Sequence, residues 1–192
     1  MRNNQRRDRG SSQTPAVFSA PTTPGLTYEV PTEFVVLPSR GLFYPEGHPL
    51  CNQETVEIRF MTAKEEDILA SQTLSDKGLT IDRLLSSIIV QDLDPESLLI
   101  GDRNAIMIAA RISAYGNEYP AAVLCHSCNM RLDYSFDLEK INLHENCFDE
   151  KFLKEHKITF DSEIRSLLIS LPKSGVEVGL RMLDGADEKT LN

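Results

Sequence analysis

The chain has 192 residues, with 20 lysines and arginines against 29 aspartates and glutamates, which gives a formal net charge of −9. Such an acidic chain is a poor non-specific ligand for the phosphate backbone of DNA or RNA. No stretch approaches the roughly 20 consecutive apolar residues that a membrane-spanning helix requires. Four cysteines are too few for the disulfide scaffold of a secreted protein. We therefore expect a globular protein with a Leu, Ile and Val core, no membrane contact and no specific nucleic-acid ligand.

The first 30 residues differ in composition from the rest of the chain. They carry four arginines against Asp8 and Glu29, and three prolines among Ser, Thr, Gln and Asn. A segment with so few large apolar side chains cannot bury enough surface to offset the entropy lost on ordering. We predict a flexible basic arm over residues 1–30 and a single α+β domain over residues 31–192. The arm is either a solvated tail or a segment that orders on an acidic partner, and both alternatives stay open.

A turn-rich loop opens the predicted domain, with the sequence Leu37-Pro-Ser-Arg-Gly-Leu-Phe-Tyr-Pro-Glu-Gly47. Its two prolines and two glycines exclude regular secondary structure, yet Leu42, Phe43 and Tyr44 are large and apolar. Such a loop is either pinned to the core or offered to a partner protein, and the sequence favours neither alternative. We take these three residues, together with Arg40, as candidate partner-binding residues.

The next segment predicts a strand followed by a helix. Val56, Ile58 and Phe60 alternate with charged residues, which is typical of a half-buried strand. Thr62 and Glu65 then have the spacing of a capping box, in which each residue satisfies a backbone N–H group of the other. A short acidic helix should therefore begin directly after Thr62.

The rest of the middle third also carries helical patterns. One amphipathic helix is predicted by apolar residues that recur with the helical period, at Ile81, Leu84, Leu85, Ile88 and Ile89. Asp94 and Pro95 predict the N-cap and first position of a short helix. Asp102 is predicted to cap a last helix that ends at Gly116. We therefore predict a helical middle over about residues 62–115.

β patterns follow the helical middle. Residues 119–124 form a short apolar run, residues 131–137 alternate apolar and polar side chains, and Cys125 and Cys128 lie between them. This arrangement predicts a hairpin with the two cysteines at its tip. Residues 164–171 and 176–183 predict a second hairpin. A helical middle flanked by β hairpins defines the α+β fold class.

Two stretches of the chain resemble each other. The turn, strand and acidic helix start after Leu37 are repeated in type after Leu171, with Asp184 in the place of Thr62. The likeness is due either to a duplication, or to chance, or to two independent strand-to-helix connections. In each case it predicts that Asp184 is the N-cap of a helix near the end of the sequence.

The most specific chemical signal is a set of potential metal ligands, Cys125, Cys128, His144 and Cys147. A cysteine pair at a hairpin tip lets both thiolates face one ion, and a second pair fifteen residues later completes a tetrahedron. We predict a structural zinc site in a zinc-ribbon-like subregion over residues 118–147. Reduced thiols beside a surface histidine are the alternative, and a redox pair is a further one, although no thioredoxin-like βαβ pattern precedes it.

No pattern in the sequence indicates catalysis. The chain lacks a glycine-rich phosphate loop, a nucleophile elbow and a His-Glu-x-x-His motif. Its acidic groups fall at predicted helix starts, where carboxylates interact favourably with the helix dipole. We therefore predict that the protein is not an enzyme.

Six short motifs occur in one order along the chain. They are Leu-Pro-Ser-Arg-Gly-Leu-Phe-Tyr-Pro (37–45), Met-Thr-Ala-Lys-Glu-Glu-Asp (61–67), Gly-Asp-Arg (101–103), Arg-Ile-Ser-Ala-Tyr-Gly-Asn-Glu-Tyr (111–119), Cys-His-Ser-Cys (125–128) and Phe-Asp-Leu (136–138). This series resembles the baseplate proteins of contractile-tailed bacteriophages, the T-even-type baseplate hub family, over roughly residues 35–191.

The resemblance implies a structural or assembly role in the baseplate hub, carried out through protein–protein contacts. It implies hub, wedge or tail-tube proteins as partners, leaves homo-oligomerisation open, and places the protein in the virion tail and, during assembly, in the host cytoplasm. Leu42, Phe43 and Tyr44 match the family's opening motif, and Cys125 and Cys128 match a recurrent family position. The family supplies no catalytic residue.

Two other functions remain as alternatives. A zinc-ribbon adaptor in transcription or regulation would need a basic nucleic-acid-binding face, whereas residues 31–192 carry a net charge of −11. A redox or metal-dependent enzyme would need the cysteine pair for its activity.

Overall fold

The computed structural model describes residues 30–141 and 150–191. The helices in these ranges are α1 (Ala63–Ala70), α2 (Gln72–Asp76), α3 (Thr80–Ile88), α4 (Ile100–Tyr115), α5 (Glu150–Glu155) and α6 (Gly185–Leu191), with 3-10 turns at Pro95–Ser97 and Leu138–Lys140. The strands are β1 (Thr32–Val36), β2 (Thr55–Arg59), β3 (Glu118–Leu124), β4 (Arg131–Asp137), β5 (Ile158–Asp161), β6 (Ser166–Ser170) and β7 (Glu177–Leu180). The predicted arm over residues 1–30 lies outside the described residues except for Val30.

The strands form three small antiparallel sheets. β1 pairs with β2, β3 pairs with β4, and the third sheet has the order β5-β6-β7. Helices α1 to α4 lie between the first two sheets along the chain, which confirms the predicted α+β class and its helical middle. The hairpin with Cys125 and Cys128 at its tip and the hairpin of β6 and β7 are also present.

One apolar core joins the first sheet to the helices. It is built from the inner face of β1 and β2, the loop that follows β1, the apolar side of α3, the segment that precedes α4 and the apolar side of α4. Its buried members are Val35, Leu37, Phe43, Tyr44, Leu50, Val56, Ile58, Leu84, Leu85, Ile88, Ile89, Leu98, Leu99, Ile106 and Ala110. The helical periodicity of α3 and the alternation of β2 both arise because one side of each element faces this core.

The predicted capping box at α1 is present. The Thr62 amide donates to Glu65 Oε2 at 2.8 Å, and the Thr62 hydroxyl donates to the same oxygen. The Ser87 hydroxyl donates to Glu65 Oε1, which ties α1 to α3. Burial alone raises the pKa of Glu65, but the hydrogen bonds from Ser87 and Thr62 outweigh it and lower that pKa to about 2.

Two helix boundaries differ from the prediction. Ile89 lies beyond the end of α3 and instead forms a β-bridge with Ile58. Helix α4 begins at Ile100 with Leu99 as its N-cap, so the prediction that Asp102 caps this helix is wrong. Asp102 lies in the first turn of α4, where its carboxylate accepts hydrogen bonds from a loop that is distant in the sequence. The 3-10 turn after Asp94 is capped as predicted, since Asp94 Oδ1 accepts from the Glu96 amide at 3.0 Å.

The last helix is capped by Asp184, as the internal likeness predicts. The Asp187 amide donates to Asp184 Oδ1 at 2.9 Å, and the Asp184 amide donates back to Asp187 Oδ2 at 3.2 Å. The segment before α6 runs beside the start of α4, since Leu99 and Asp184 form an antiparallel bridge. α6 is thereby attached to the helical middle.

An ion-pair cluster reinforces this attachment. Arg103 contacts Asp82 at 2.9 Å and Glu188 at 3.5 Å, while the Lys189 ammonium contacts Asp82 at 2.7 Å and Glu96 at 2.6 Å. Hydrogen bonds to Asp82 and then to Glu96 raise the pKa of Lys189. Because each charge in the cluster meets an opposite one, the arrangement helps to position α6.

Candidate interaction surfaces

The opening loop is fixed by the buried carboxylate of Asp102. The Ser39 amide donates to Oδ1 at 2.9 Å, while the Ser39 hydroxyl and the Tyr44 hydroxyl donate to Oδ2 at 2.5 Å and 2.8 Å. Asp102 is fully buried, so these three donors replace the water that an exposed carboxylate would bind. The carboxylate at the start of α4 therefore organises the loop.

Tyr44 links the loop to the start of α4 through its hydroxyl group. The Leu99 amide donates to the Tyr44 hydroxyl at 3.2 Å, while that hydroxyl donates to Asp102. Burial and, secondarily, the charge of Asp102 raise the pKa of Tyr44 well above its ordinary value. The phenol is therefore neutral and acts as a structural donor and acceptor.

His48 completes the loop's internal packing. Its ring stacks on the Tyr44 ring, with centroids 4.3 Å apart and planes inclined by 7°. Nδ1 accepts from the Leu50 amide at 3.1 Å, so the other nitrogen carries the proton of the neutral ring and donates to Ser97 Oγ at 2.9 Å. Burial lowers the pKa of His48, which favours this neutral form.

Two contacts tie the loop to the three-stranded sheet. Arg165, in the turn between β5 and β6, donates to the Leu42 carbonyl at 3.1 Å and to Asn52 Oδ1 at 2.9 Å. The rings of Phe43 and Phe160 meet edge to face with centroids 5.4 Å apart. The loop therefore lies between the helical middle and the third sheet and contacts both.

The four candidate partner-binding residues of this loop occupy different environments. Phe43 and Tyr44 belong to the core, so the alternative of a loop pinned to the core describes these two positions. Leu42 is half-buried against the same core, and Arg40 is exposed. Partner binding stays a prediction, with Arg40 and Leu42 as the residues whose surfaces remain accessible.

A cavity of about 410 Å³ lies beside the loop, between the start of α4 and the segment at residues 181–183. Its walls are mostly apolar, and its titratable members are Asp102 and Arg181. The Asp102 carboxylate is hydrogen-bonded to the loop, and the Arg181 guanidinium makes a bidentate contact with the Asp187 carboxylate at 2.5 Å and 2.6 Å. The cavity therefore offers a mostly apolar surface beside the loop.

The β3–β4 hairpin presents one wholly apolar face. The register pairs Tyr119 with Phe136, Ala121 with Tyr134 and Val123 with Leu132, and directly paired residues point to the same side of a sheet. We call this set the apolar hairpin face: Tyr119, Ala121, Val123, Leu132, Tyr134 and Phe136. Its five large members are each 44–58% exposed, although the Arg111 guanidinium from α4 lies over the Tyr119 ring at one end of the face. Large apolar surfaces of this kind mark interaction sites.

The opposite face of the hairpin is mixed and more polar, with Glu118, Asp133, Ser135, Asp137 and Arg131 among its members. The base of the hairpin lies against the end of α4: the Leu138 amide donates to the Asn117 carbonyl at 2.9 Å, and the Arg111 guanidinium of α4 lies 5.9 Å from the Tyr119 ring centre. A two-stranded sheet is at best marginally stable unless its apolar face packs against something. The apolar hairpin face is therefore suited to a partner.

The predicted metal ligands are described only in part. Cys125 and Cys128 are reduced and lie together in the turn at the hairpin tip. The amides of Cys128 and Ser127, which hydrogen-bond the Cys125 sulfur, lower the pKa of Cys125. His144 and Cys147 lie outside the described residues, so the four-ligand zinc site stays a prediction. Cys51 is half-buried in the opening loop.

Sequence reasoning missed two features of these surfaces. It identified Asp102 only as a cap, because the chain offers no local sign of contacts with Ser39 and Tyr44. It recognised the strands of the hairpin without comparing their faces. A signal was present, since pairing Tyr119 with Phe136 across the tip places all the aromatic residues of both strands on one side.

One of three comparisons with known proteins gives a match. The family model described as T4 bacteriophage base plate protein matches residues 37–191. Neither the curated proteins nor the solved structures provide a match. In the part of the chain that the structure describes, none of the helices combines the length and apolar character needed to traverse a lipid bilayer.

Proposed function

We propose, from the premise that this chain belongs to the T4 bacteriophage base plate protein family, that it is a non-enzymatic structural subunit of the baseplate hub in a phage tail. It acts through protein–protein contacts during assembly in the host cytoplasm and afterwards in the virion. Family membership supports the baseplate role. The ordered motif series over residues 35–191 supports the hub in particular.

The apolar hairpin face is the observation that carries the contact role. It presents three aromatic rings and two aliphatic side chains on a two-stranded sheet that is attached to the body at one end. Tyr134 and Phe136 pack edge to face with centroids 4.6 Å apart, so they form one preorganised anchor. Aromatic anchors of this type carry much of the binding energy at protein interfaces.

The proposed occupant of this face is another baseplate subunit with an apolar patch, from the hub, the wedges or the tail tube. Burying the face against such a subunit would remove the instability of an isolated two-stranded sheet. Arg40 and Leu42 in the opening loop provide a second, smaller contact region. A second copy of this chain is the homo-oligomeric variant of the same proposal.

The test is complementation of a phage that lacks this gene, with the protein supplied from a plasmid. We expect the double variant Tyr134→Ser/Phe136→Ser to fold but to be lost from purified tails, with a corresponding loss of plaques. Removing one aromatic anchor costs about 2 kcal/mol of binding energy, close to a 30-fold loss of affinity. The readouts are the plaque count and mass spectrometry of the tails.

The matched control changes the opposite face of the same strand, with Asp133→Ser and Ser135→Ala. This variant should enter tails at the wild-type level because its apolar hairpin face is intact. Complete tails in the absence of the protein would refute the structural role. Normal incorporation of the Tyr134/Phe136 variant would refute the assignment of the contact to this face.

A further inference from the structure

The tip of the β3–β4 hairpin has a backbone that brings two cysteine side chains together. The Cys125 amide donates to the Met130 carbonyl at 2.9 Å, and the Asn129 amide donates to the Cys125 carbonyl at 2.8 Å. Asn129 has a φ of +55°, in the left-handed region, which reverses the chain directly after Cys128. The two cysteines are therefore held in one closed turn.

The surroundings of the Cys125 sulfur suit a thiolate that binds a metal ion. The backbone N–H groups of Cys128 and Ser127 donate to this sulfur, and the Cys128 thiol is in hydrogen-bonding contact with it. N–H donors compensate the negative charge of a thiolate, the form of cysteine that ligates metals. A tetrahedral zinc ion with Zn–S bonds of about 2.3 Å holds its sulfurs roughly 3.8 Å apart. That separation is compatible with two thiols in non-bonded contact.

We propose that Cys125 and Cys128 chelate a zinc ion at the hairpin tip. On binding, the ion displaces one proton from each thiol to solvent and forms one bond to each sulfur, with no change of oxidation state. The pair directly follows a strand instead of opening a helix, which separates it from redox pairs whose low-pKa thiol lies at a helix N-terminus. The proposal does not depend on the baseplate role, because it concerns this chain alone.

Cys125 and Cys128 would fill two of the four coordination positions of a tetrahedral zinc ion. Within residues 30–141 and 150–191, no group of three or more His, Cys, Asp or Glu side chains is arranged to hold an ion. An ion held by this pair keeps two further coordination positions, which water can fill. An ion at the tip would fix both strands at the end opposite their attachment to α4, and so would hold the apolar hairpin face in register.

The experiment uses the full chain, reduced and stripped of metal, and titrates it with Co²⁺ as a spectroscopic probe for Zn²⁺. We expect a thiolate-to-cobalt charge-transfer band that Zn²⁺ abolishes by displacement. Cys125→Ser and Cys128→Ser should each reduce the band and weaken zinc affinity by roughly tenfold or more. Cys51→Ser is the matched control, since it removes the half-buried thiol of the opening loop and should leave the band unchanged.

A second measurement, the Tm with and without zinc, distinguishes loss of metal binding from failure to fold. Zinc should raise the Tm of the wild-type protein and of Cys51→Ser, and it should raise the Tm of the two hairpin variants less. The proposal is overturned if the wild-type protein shows no charge-transfer band while its thiols titrate as free. It is also overturned if the band and the Tm shift persist unchanged in both hairpin variants.

Discussion

Replacing Tyr44 by phenylalanine tests the way in which Asp102 organises the opening loop. The change removes a hydroxyl that donates to Asp102 at 2.8 Å and accepts from the Leu99 amide at 3.2 Å. A hydrogen bond to a charged group contributes about 1.5–3 kcal/mol, and a buried donor without an acceptor costs about 1–3 kcal/mol. The ring keeps its shape, so no cavity term is added. We expect the free energy of unfolding to fall by about 3 kcal/mol.

The assay is urea unfolding followed by circular dichroism, with the midpoint compared at constant m-value. Tyr134→Phe is the matched control, because the Tyr134 side chain is exposed and loss of its hydroxyl should change stability by less than about 0.5 kcal/mol. A double-mutant cycle with Asp102→Asn should give a coupling of about 1 kcal/mol or more. A loss below about 1 kcal/mol for Tyr44→Phe, or additive effects in the cycle, would refute the reasoning.

Other perturbations act on the cap, the loop and the predicted metal site. The pKa of Glu65 falls from 4.5 to about 2 on folding, so its ionised form should add about 3 kcal/mol to stability above pH 4.5, lost as the pH falls toward 2. Glu65→Gln should flatten that part of a urea-midpoint profile; an unchanged profile would contradict this. Gly41→Ala should cost more than about 3 kcal/mol because its Cβ would lie 2.4 Å from loop backbone. Gly47→Ala meets no atom within 4 Å and should cost only about 1–2 kcal/mol of left-handed strain; equal losses by urea unfolding would contradict the clash. His144→Ala and Cys147→Ser should each lower the zinc content of dialysed protein; undiminished zinc in both would make the four-ligand prediction wrong.

Local sequence patterns were sufficient to predict the elements whose conformation depends mainly on residues close together in the chain. The alternation in β2, the helical period of α3 and the cysteine-tipped hairpin are all written in short stretches of sequence. The caps at Thr62 and Asp184 were also predicted, since a cap involves residues only three positions apart. Such features need no knowledge of the tertiary structure.

Contacts between distant residues were not predictable in this way. Asp102 resembles an N-cap because Asp is common at helix starts, yet its partner Ser39 lies 63 positions earlier in the chain. The sequence left Tyr44 equally suited to the core and to a partner because Asp102, the acceptor that its buried hydroxyl needs, lies 58 positions later in the chain. Similarly, alternation in β4 predicts a strand without showing which element, if any, covers its apolar side.

The opening loop and the hairpin therefore have separable roles. Asp102 from α4 and Arg165 from the third sheet hold the loop in place. A change in the loop should therefore lower the stability of the part of the protein that contains α4 and the third sheet. The β3–β4 hairpin contacts the end of α4 at its base, and Cys125 and Cys128 lie at the opposite end of the hairpin. We therefore expect Tyr44→Phe to lower stability while leaving the cobalt band intact, and Cys128→Ser to reduce the band while leaving the stability of the metal-free protein unchanged. Loss of the cobalt band in Tyr44→Phe protein that is still folded would show that the two regions are coupled.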